Sequence, residues 1–376
     1  MLLFPSQIQN IPDRISSSGS LFTDGCSTIS PALADEAWAI LRAQRGQIAG
    51  KKQTPSGYQF RLGAAKGMVV VDYQLPGETI TLRPSQKKFT ARDRPTFLEI
   101  QSTSANPRSL FLNKPMIVIL EYLGVSDAAL MTLQDLAICD VEASRVRFQE
   151  ASKMFGQNGL GASFRMPSLF SNLRTELGLE IRSADNFAGM ANRLVRESIR
   201  CGCTHVLREI KYRARVRVPG SFTLLGAADE YDCLRAGEVY ATVYDERTEI
   251  SQPIEGRVLI TRSPQVHPGD IQYVTAVRRP ELDHIKNIVI FSCQCVHTFS
   301  DVRPIPTKFG SRGSRSLPSC LAGGDLDGDD FNIILEVSAS ATSCHIISCY
   351  TYCFQADVTA RSLSHRQTRR IRGTSE

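Results

Sequence analysis

Two sets of short β-type runs, separated by a helical stretch from about residue 115 to 213, limit what this 376-residue chain can fold into. "YQFRLG" (58–63), "GMVVVDY" (67–73) and "TITLRPS" (79–85) form the first set, broken by Gly and Pro. After the alternating "RARVRV" (213–218) come "SFTLLG", "GEVYATVYD", "GRVLITRS", "DIQYVTAV" and "NIVIFS" between 221 and 292. β-Rich runs of this length, bounded by turn residues, fit compact barrels better than βαβ layers. Between them, "DAALMTLQDLAICDVEASRVRFQEASKMF" places Leu130, Leu133, Leu136 and Ile138 near helical spacing. "SADNFAGMANRLVRESIRCGCTHVLREIKYRARV" continues that pattern with Asp185 as N-cap, and "GQNGLGASF" interrupts the two as a loop. The expected class is α+β: a first barrel region at 1–110, helices at 111–213, a second barrel at 214–337 and an irregular tail at 338–376.

Bulk composition narrows function only slightly. Hydrophobic content of 42% and charged content of 22% are those of a globular protein with a sizeable core. No run of 18 apolar residues occurs, and the N-terminus has neither the basic region nor the apolar core of a signal peptide. No membrane partner is expected, and an intracellular location, nucleus or cytoplasm, follows. The 11 cysteines include "CGC" (Cys201, Cys203) and "CQC" (Cys293, Cys295), but C-x-C differs from the usual zinc spacing and no His/Cys pair completes either half. Free thiols in a reducing compartment are the simpler reading. Of the +6 net charge, residues 361–376 hold five arginines and one glutamate, or +4, so individual basic residues must carry any nucleic-acid argument.

"CLAGGDLDGDDFNII" (320–334) crowds four aspartates between a glycine pair and an apolar run. A solvated loop fits the Asp and Gly content but not the strand-like flank. An EF-hand would use Asp325, Asp327, Asp329 and Glu336, yet its sixth position is Asp330 rather than Gly and its interior is apolar. A catalytic Mg²⁺ site is the third reading. Alternate residues of an extended segment lie roughly 6.6–6.8 Å apart, too far to share an ion bound at about 2.0–2.1 Å. Gly328 can supply the bend that brings Asp325, Asp327 and Asp329 together. A metal pair held there could stabilise the attacking and leaving oxygens of phosphoryl transfer.

"GGDLDGDDF" resembles the D-x-D-G-D signature of the eukaryotic cellular RNA-dependent RNA polymerases of RNA silencing. Further blocks resemble that family in order: "FTDGCSTIS" (22–30), "YQFRLGAAKGMVVVD" (58–72), "LRPSQKKF" (82–89), "FLNKPMIVILEYLGV" (111–125), "LLGAADEYDCLRAGEVYATV" (224–243), "GRVLITRSPQVHPGDIQYVTAV" (256–277) and "LPSCLAGGDLDGDDF" (317–331). The resemblance implies two double-psi β-barrels and RNA-directed RNA synthesis, on a single-stranded RNA template with NTPs, giving double-stranded RNA. It implies Asp325, Asp327 and Asp329 as metal ligands, with Mg²⁺, or Mn²⁺ in its place, as cofactor, and silencing-pathway proteins as partners. Lys66 matches the family lysine of the first barrel and is expected at phosphate. Arg83, Lys87 and Lys88 lie in a matching block as candidate substrate-binding residues. Arg262 suits phosphate through its planar fork. His267, beside Pro268 and Gly269, reads as turn-fixing, Glu238 as structural, and Asp330 as either backing the ligands or facing solvent.

Three departures qualify the resemblance, the first being that the beginning reads like the middle of a larger protein. "CVHTFSDVRPIPTKFGSR" (295–312) makes the connection to the aspartate loop longer than the family's. The family pattern is expected to end near Val337, so that 338–376 is an irregular tail that could be translated non-coding sequence. The chain therefore reads as a fragment carrying both barrels. A catalytically inactive RNA-binding fragment is the alternative; a DNA-templated enzyme and a calcium module are more distant ones.

Overall fold

The computed structural model describes residues 1–44, 53–89, 96–176, 193–245, 249–294 and 315–335. The long connection at 295–312, the tail at 338–376, Asp185 and Glu336 fall outside these residues. The chain divides into two compact units, one of 1–108 with 221–335, the other built from 109–220.

The first unit holds both β-systems. Its N-terminal sheet contains β1 (Leu2–Leu3), β2 (Ile8–Asn10), β3 (Cys26–Ile29), β4 (Gly57–Leu62), β5 (Ala65–Val71), β6 (Ile80–Leu82) and β7 (Thr96–Thr103) in the order β1-β7-β4-β5-β3-β6-β2. β3 pairs parallel with β5, and β2 with β6, inside an otherwise antiparallel set. Helix α1 (Pro31–Gln44) follows β3 and turns Leu33, Ala34, Ala37 and Trp38 inward. The run Met68–Val71 is buried on successive residues because both faces of β5 are covered.

Strand β8 (Arg108–Phe111) leads into the second unit, a set of helices: α2 (Lys114–Tyr122), α3 (Asp127–Ala143), α4 (Phe148–Gln157), α5 (Met166–Thr175) and α6 (Arg193–Arg213). Asn113 caps α2 by accepting from the Met116 N–H at 2.8 Å, and Ser126 caps α3. The "RARVRV" run is shared differently from its alternation: α6 runs through Arg213, Ala214 turns into the left-handed region, and the strand starts only at Arg217. Helical hydrogen bonding inherited from the preceding 21-residue helix outweighs local β preference for those first residues.

The second β-system combines β9 (Arg217–Ala228), β10 (Glu238–Asp245), β11 (Ile250–Pro253), β12 (Gly256–Arg262), β13 (Ile271–Ala276), β14 (Ile288–Phe291) and β15 (Asp330–Leu335) with the short helix α7 (Leu317–Cys320). Neighbours run β10-β13-β12-β15-β9-β14, and β14 returns to β10, closing a barrel. Two of its pairings, β10 with β13 and β9 with β14, are parallel. Ile288, Val289, Ile290, Phe291, Phe331 and Ile333 fill the interior, with the rings of Phe291 and Phe331 edge-to-face at 4.7 Å. The architecture is α+β with two closed or nearly closed double-psi β-barrels.

A buried ion pair ties the two β-systems. Arg83, 3% exposed after β6, donates to Glu230 at 2.7 Å and to the Pro12 carbonyl. Arg14 donates to the Asp229 and Glu230 carbonyls. Burial lifts the Glu230 carboxyl above its ordinary range despite both arginines. Replacing Arg83 by Met leaves that carboxylate buried without its close partner. Chemical denaturation is expected to show a loss of about 3–5 kcal/mol.

Candidate active site

The aspartate loop is a bend held at both ends. α7 ends in a turn where Ala322 and Gly323 both take positive φ, 51° and 66°, and the chain regains extended form at β15. Leu326 is 1% exposed and packs in the second barrel's core, while its N–H donates to the Asp24 carbonyl of the first barrel at 2.8 Å. Asp325 and Asp327 are thereby left on the open side. The amide of Gln59, on β4, donates to the Asp327 carbonyl at 3.3 Å and is itself held by the Ser102 hydroxyl at 2.9 Å.

Two glycines permit this approach. A Cβ on Gly328, whose φ is 123°, would fall 2.0 Å from the Gln59 Nε2. One on Gly25, at φ 82°, would meet the Asp327 Cβ at 2.5 Å. Gly328 thus supplies the bend the sequence requires and also the space for the first barrel.

Charge is distributed unevenly over the three carboxylates. Lys66, on β5 and half exposed, lies 2.6 Å from Asp327 Oδ2. Arg262, at the end of β12, grips Asp329: Nη2 donates to Oδ1 at 2.8 Å and Nε stands 2.5 Å from Oδ2 without an aligned hydrogen bond. The hydrogen bond to Asp327 raises the Lys66 pKa, and that to Asp329 raises Arg262, so both cations are held charged. Asp325 has no ion-pair partner among the described residues. Burial first, then repulsion from Asp327 and Asp329, pushes its carboxyl up to about 6. Asp24 behind the loop is also raised, by burial, with Lys88 opposing and Asp13 and Asp327 adding.

The structure brings together Asp325, Asp327, Asp329, Lys66 and Arg262. It does not bring the others to the loop in the same way. Arg83 is spent on Glu230. Lys87 donates to the Asn10 side chain at 2.7 Å. Lys88 donates to the Ser85 carbonyl at 3.0 Å, and its charge acts on Asp24. Asp330 is paired with exposed Arg108. His267 accepts from the Gly269 N–H at 2.9 Å and fixes its turn, and Glu238 pairs with Arg279.

Gln59, Gly25 and Asp24 escaped the sequence reading. Alternation marks Gln59 as facing away from Tyr58 and Phe60, but nothing local says what docks there.

Among the described residues, no three His, Cys, Asp or Glu side chains stand in a metal-holding cluster. The donor set nonetheless fits a hard divalent cation. It offers carboxylate oxygens only, and the burial and mutual repulsion that raise Asp325 are what such an ion would offset. The same two causes predict a pH effect on the metal-free protein. A folded pKa raised from the ordinary ~3.9 to about 6 means that the native state binds this proton more tightly. Stability from this group is therefore present at low pH and lost as pH rises through that window. Asp325→Asn should raise the thermal midpoint at pH 8, with the difference closing near pH 4. Gly328→Ala should lower it at every pH, because its clash with Gln59 does not titrate.

No described helix is long and apolar enough to cross a membrane. The RNA dependent RNA polymerase family model matches residues 1–367, continuing past the point near Val337 where the sequence alone suggests the pattern ends. The chain is 27% identical over 358 residues to RNA-dependent RNA polymerase 2 of Arabidopsis thaliana, covering 88% of this chain and 27% of that protein. It is 26% identical over 351 residues to RNA-dependent RNA polymerase 1 of Schizosaccharomyces pombe, covering 87% and 26%. It thus spans about a quarter of the length of these curated relatives. Among solved structures, RNA dependent RNA polymerase QDE-1 from Thielavia terrestris superposes with a TM-score of 0.64 at 22% identity, over 89% of this chain and 36% of that one. With a family match across nearly all its length, the chain belongs to the eukaryotic RNA-dependent RNA polymerase family.

Proposed function

We propose that this chain carries the catalytic core of an RNA-directed RNA polymerase that copies single-stranded RNA into double-stranded RNA. The observation that carries the reading is Lys66 of the first barrel lying 2.6 Å from Asp327 of the second, within a loop of three carboxylates. Carboxylates and a cation from two barrels then share one open face, where charge developing on phosphate oxygens can be stabilised.

Asp325, Asp327 and Asp329 would hold Mg²⁺, or Mn²⁺ in its place. When bound, that ion supplies charge neutralisation for the attacking and leaving oxygens. The chain's own residues do the rest. A primer or nascent-strand 3′-hydroxyl attacks the α-phosphate of an NTP, and pyrophosphate leaves. Lys66, half exposed and held charged, is placed to move from Asp327 to a phosphate oxygen as charge accumulates there. Arg262 holds Asp329 in a fixed orientation, which favours a positioning role over direct phosphate contact. Lys88 offers a second exposed cation, whose charge acts on Asp24. From the resemblance of the sequence blocks we infer small-RNA silencing as the setting, in nucleus or cytoplasm, with silencing proteins as partners.

Incorporation of labelled NTPs on a single-stranded RNA template with Mg²⁺ tests the reading. Wild-type protein should extend, Asp327→Ala should give no product, and Lys66→Met should slow incorporation roughly 10²–10³-fold with template retention unchanged. RNA retention by wild type without incorporation would establish an RNA-binding fragment instead; preference for a DNA template would move the chain to another polymerase class.

A further inference from the structure

A strained residue at the root of the aspartate loop is held from both sides by the end of β12 and the turn that follows it. Ala322 sits at φ 51°, a left-handed conformation that a Cβ disfavours. Its N–H donates to Asp270 Oδ1 at 3.2 Å, and its carbonyl accepts from Arg262 Nη1 at 3.2 Å. The other oxygen of Asp270 accepts from the Val266 and His267 N–H groups, both at 2.8 Å. Arg262 also reaches Asp329. Asp270 and Arg262 therefore form one brace. It closes the 263–270 turn on itself, clamps both polar groups of Ala322, and ends on a carboxylate of the loop. Gly324 is packed into the same brace, since a Cβ there would lie 2.8 Å from the Arg262 Cδ.

We infer that Asp270 is a positioning residue for the aspartate loop, acting through the backbone of Ala322. Without its acceptor, Ala322 relaxes toward negative φ, and the turn that aims Asp325 and Asp327 swings with it. The inference rests on the polymerase reading for its catalytic consequence, but not for its geometry.

Asp270→Asn separates the brace from the turn. The asparagine carbonyl can still accept from Val266 and His267, while its NH₂ then faces the Ala322 N–H, donor against donor. Ala322→Gly removes the conformational penalty, because glycine takes positive φ freely. Hydrogen exchange on the full chain, followed over residues 321–329, gives a readout that needs no catalysis. Asp270→Asn should speed exchange there roughly tenfold, and adding Ala322→Gly should recover most of the lost protection. The Mg²⁺ concentration for half-maximal incorporation should rise and fall in parallel. Unchanged exchange in Asp270→Asn would overturn the inference, as would a double variant that exchanges faster than the single one. A wild type that never incorporates NTPs, but shows the exchange pattern, would refute the polymerase reading and leave the brace standing.

Discussion

Mutual repulsion among Asp325, Asp327 and Asp329 is the constraint around which the rest of the first unit is arranged. Two of these carboxylates are neutralised by cations from different barrels, Lys66 on β5 and Arg262 on β12. The third has no such partner among the described residues, and burial, then repulsion from the other two, raises its pKa. That asymmetry holds two acids in place and leaves one as a source of uncompensated negative potential. Placing the cations requires both β-systems at once, which is why the loop sits against Asp24, Gly25 and Gln59 rather than in solvent.

Much of this was legible in the sequence for identifiable reasons. The aspartates advertise themselves by density, and Gly328 by its position between two of them. Lys66 stood out only through its matching block, since a single lysine in a strand has no local signature. The two barrels follow from short β-branched runs with turn residues between them. Strand boundaries were less clear: the alternation at 213–218 belongs partly to a helix end, because hydrogen bonding from the preceding turns overrides it.

What the sequence could not show was partnership across long separations. Arg83 in "LRPSQKKF" has the same local chemistry as a phosphate ligand, yet its guanidinium lies in the interior against Glu230, 147 positions away. Arg262 has the fork suited to phosphate, and it is occupied by Asp329. Gln59 carries no charge and sits in an ordinary strand, but its amide supports the backbone of Asp327. Each assignment depends on which distant segment arrives opposite, a property of topology rather than of composition.

Barrel closure has a bearing on solubility as well as on geometry. The ring from β10 through β14 leaves no unpaired border among its described strands, while the N-terminal sheet ends in β1 and β2, two and three residues long. The four-residue β11 is a further border, beside β10, and borders this short offer few free N–H and C=O groups.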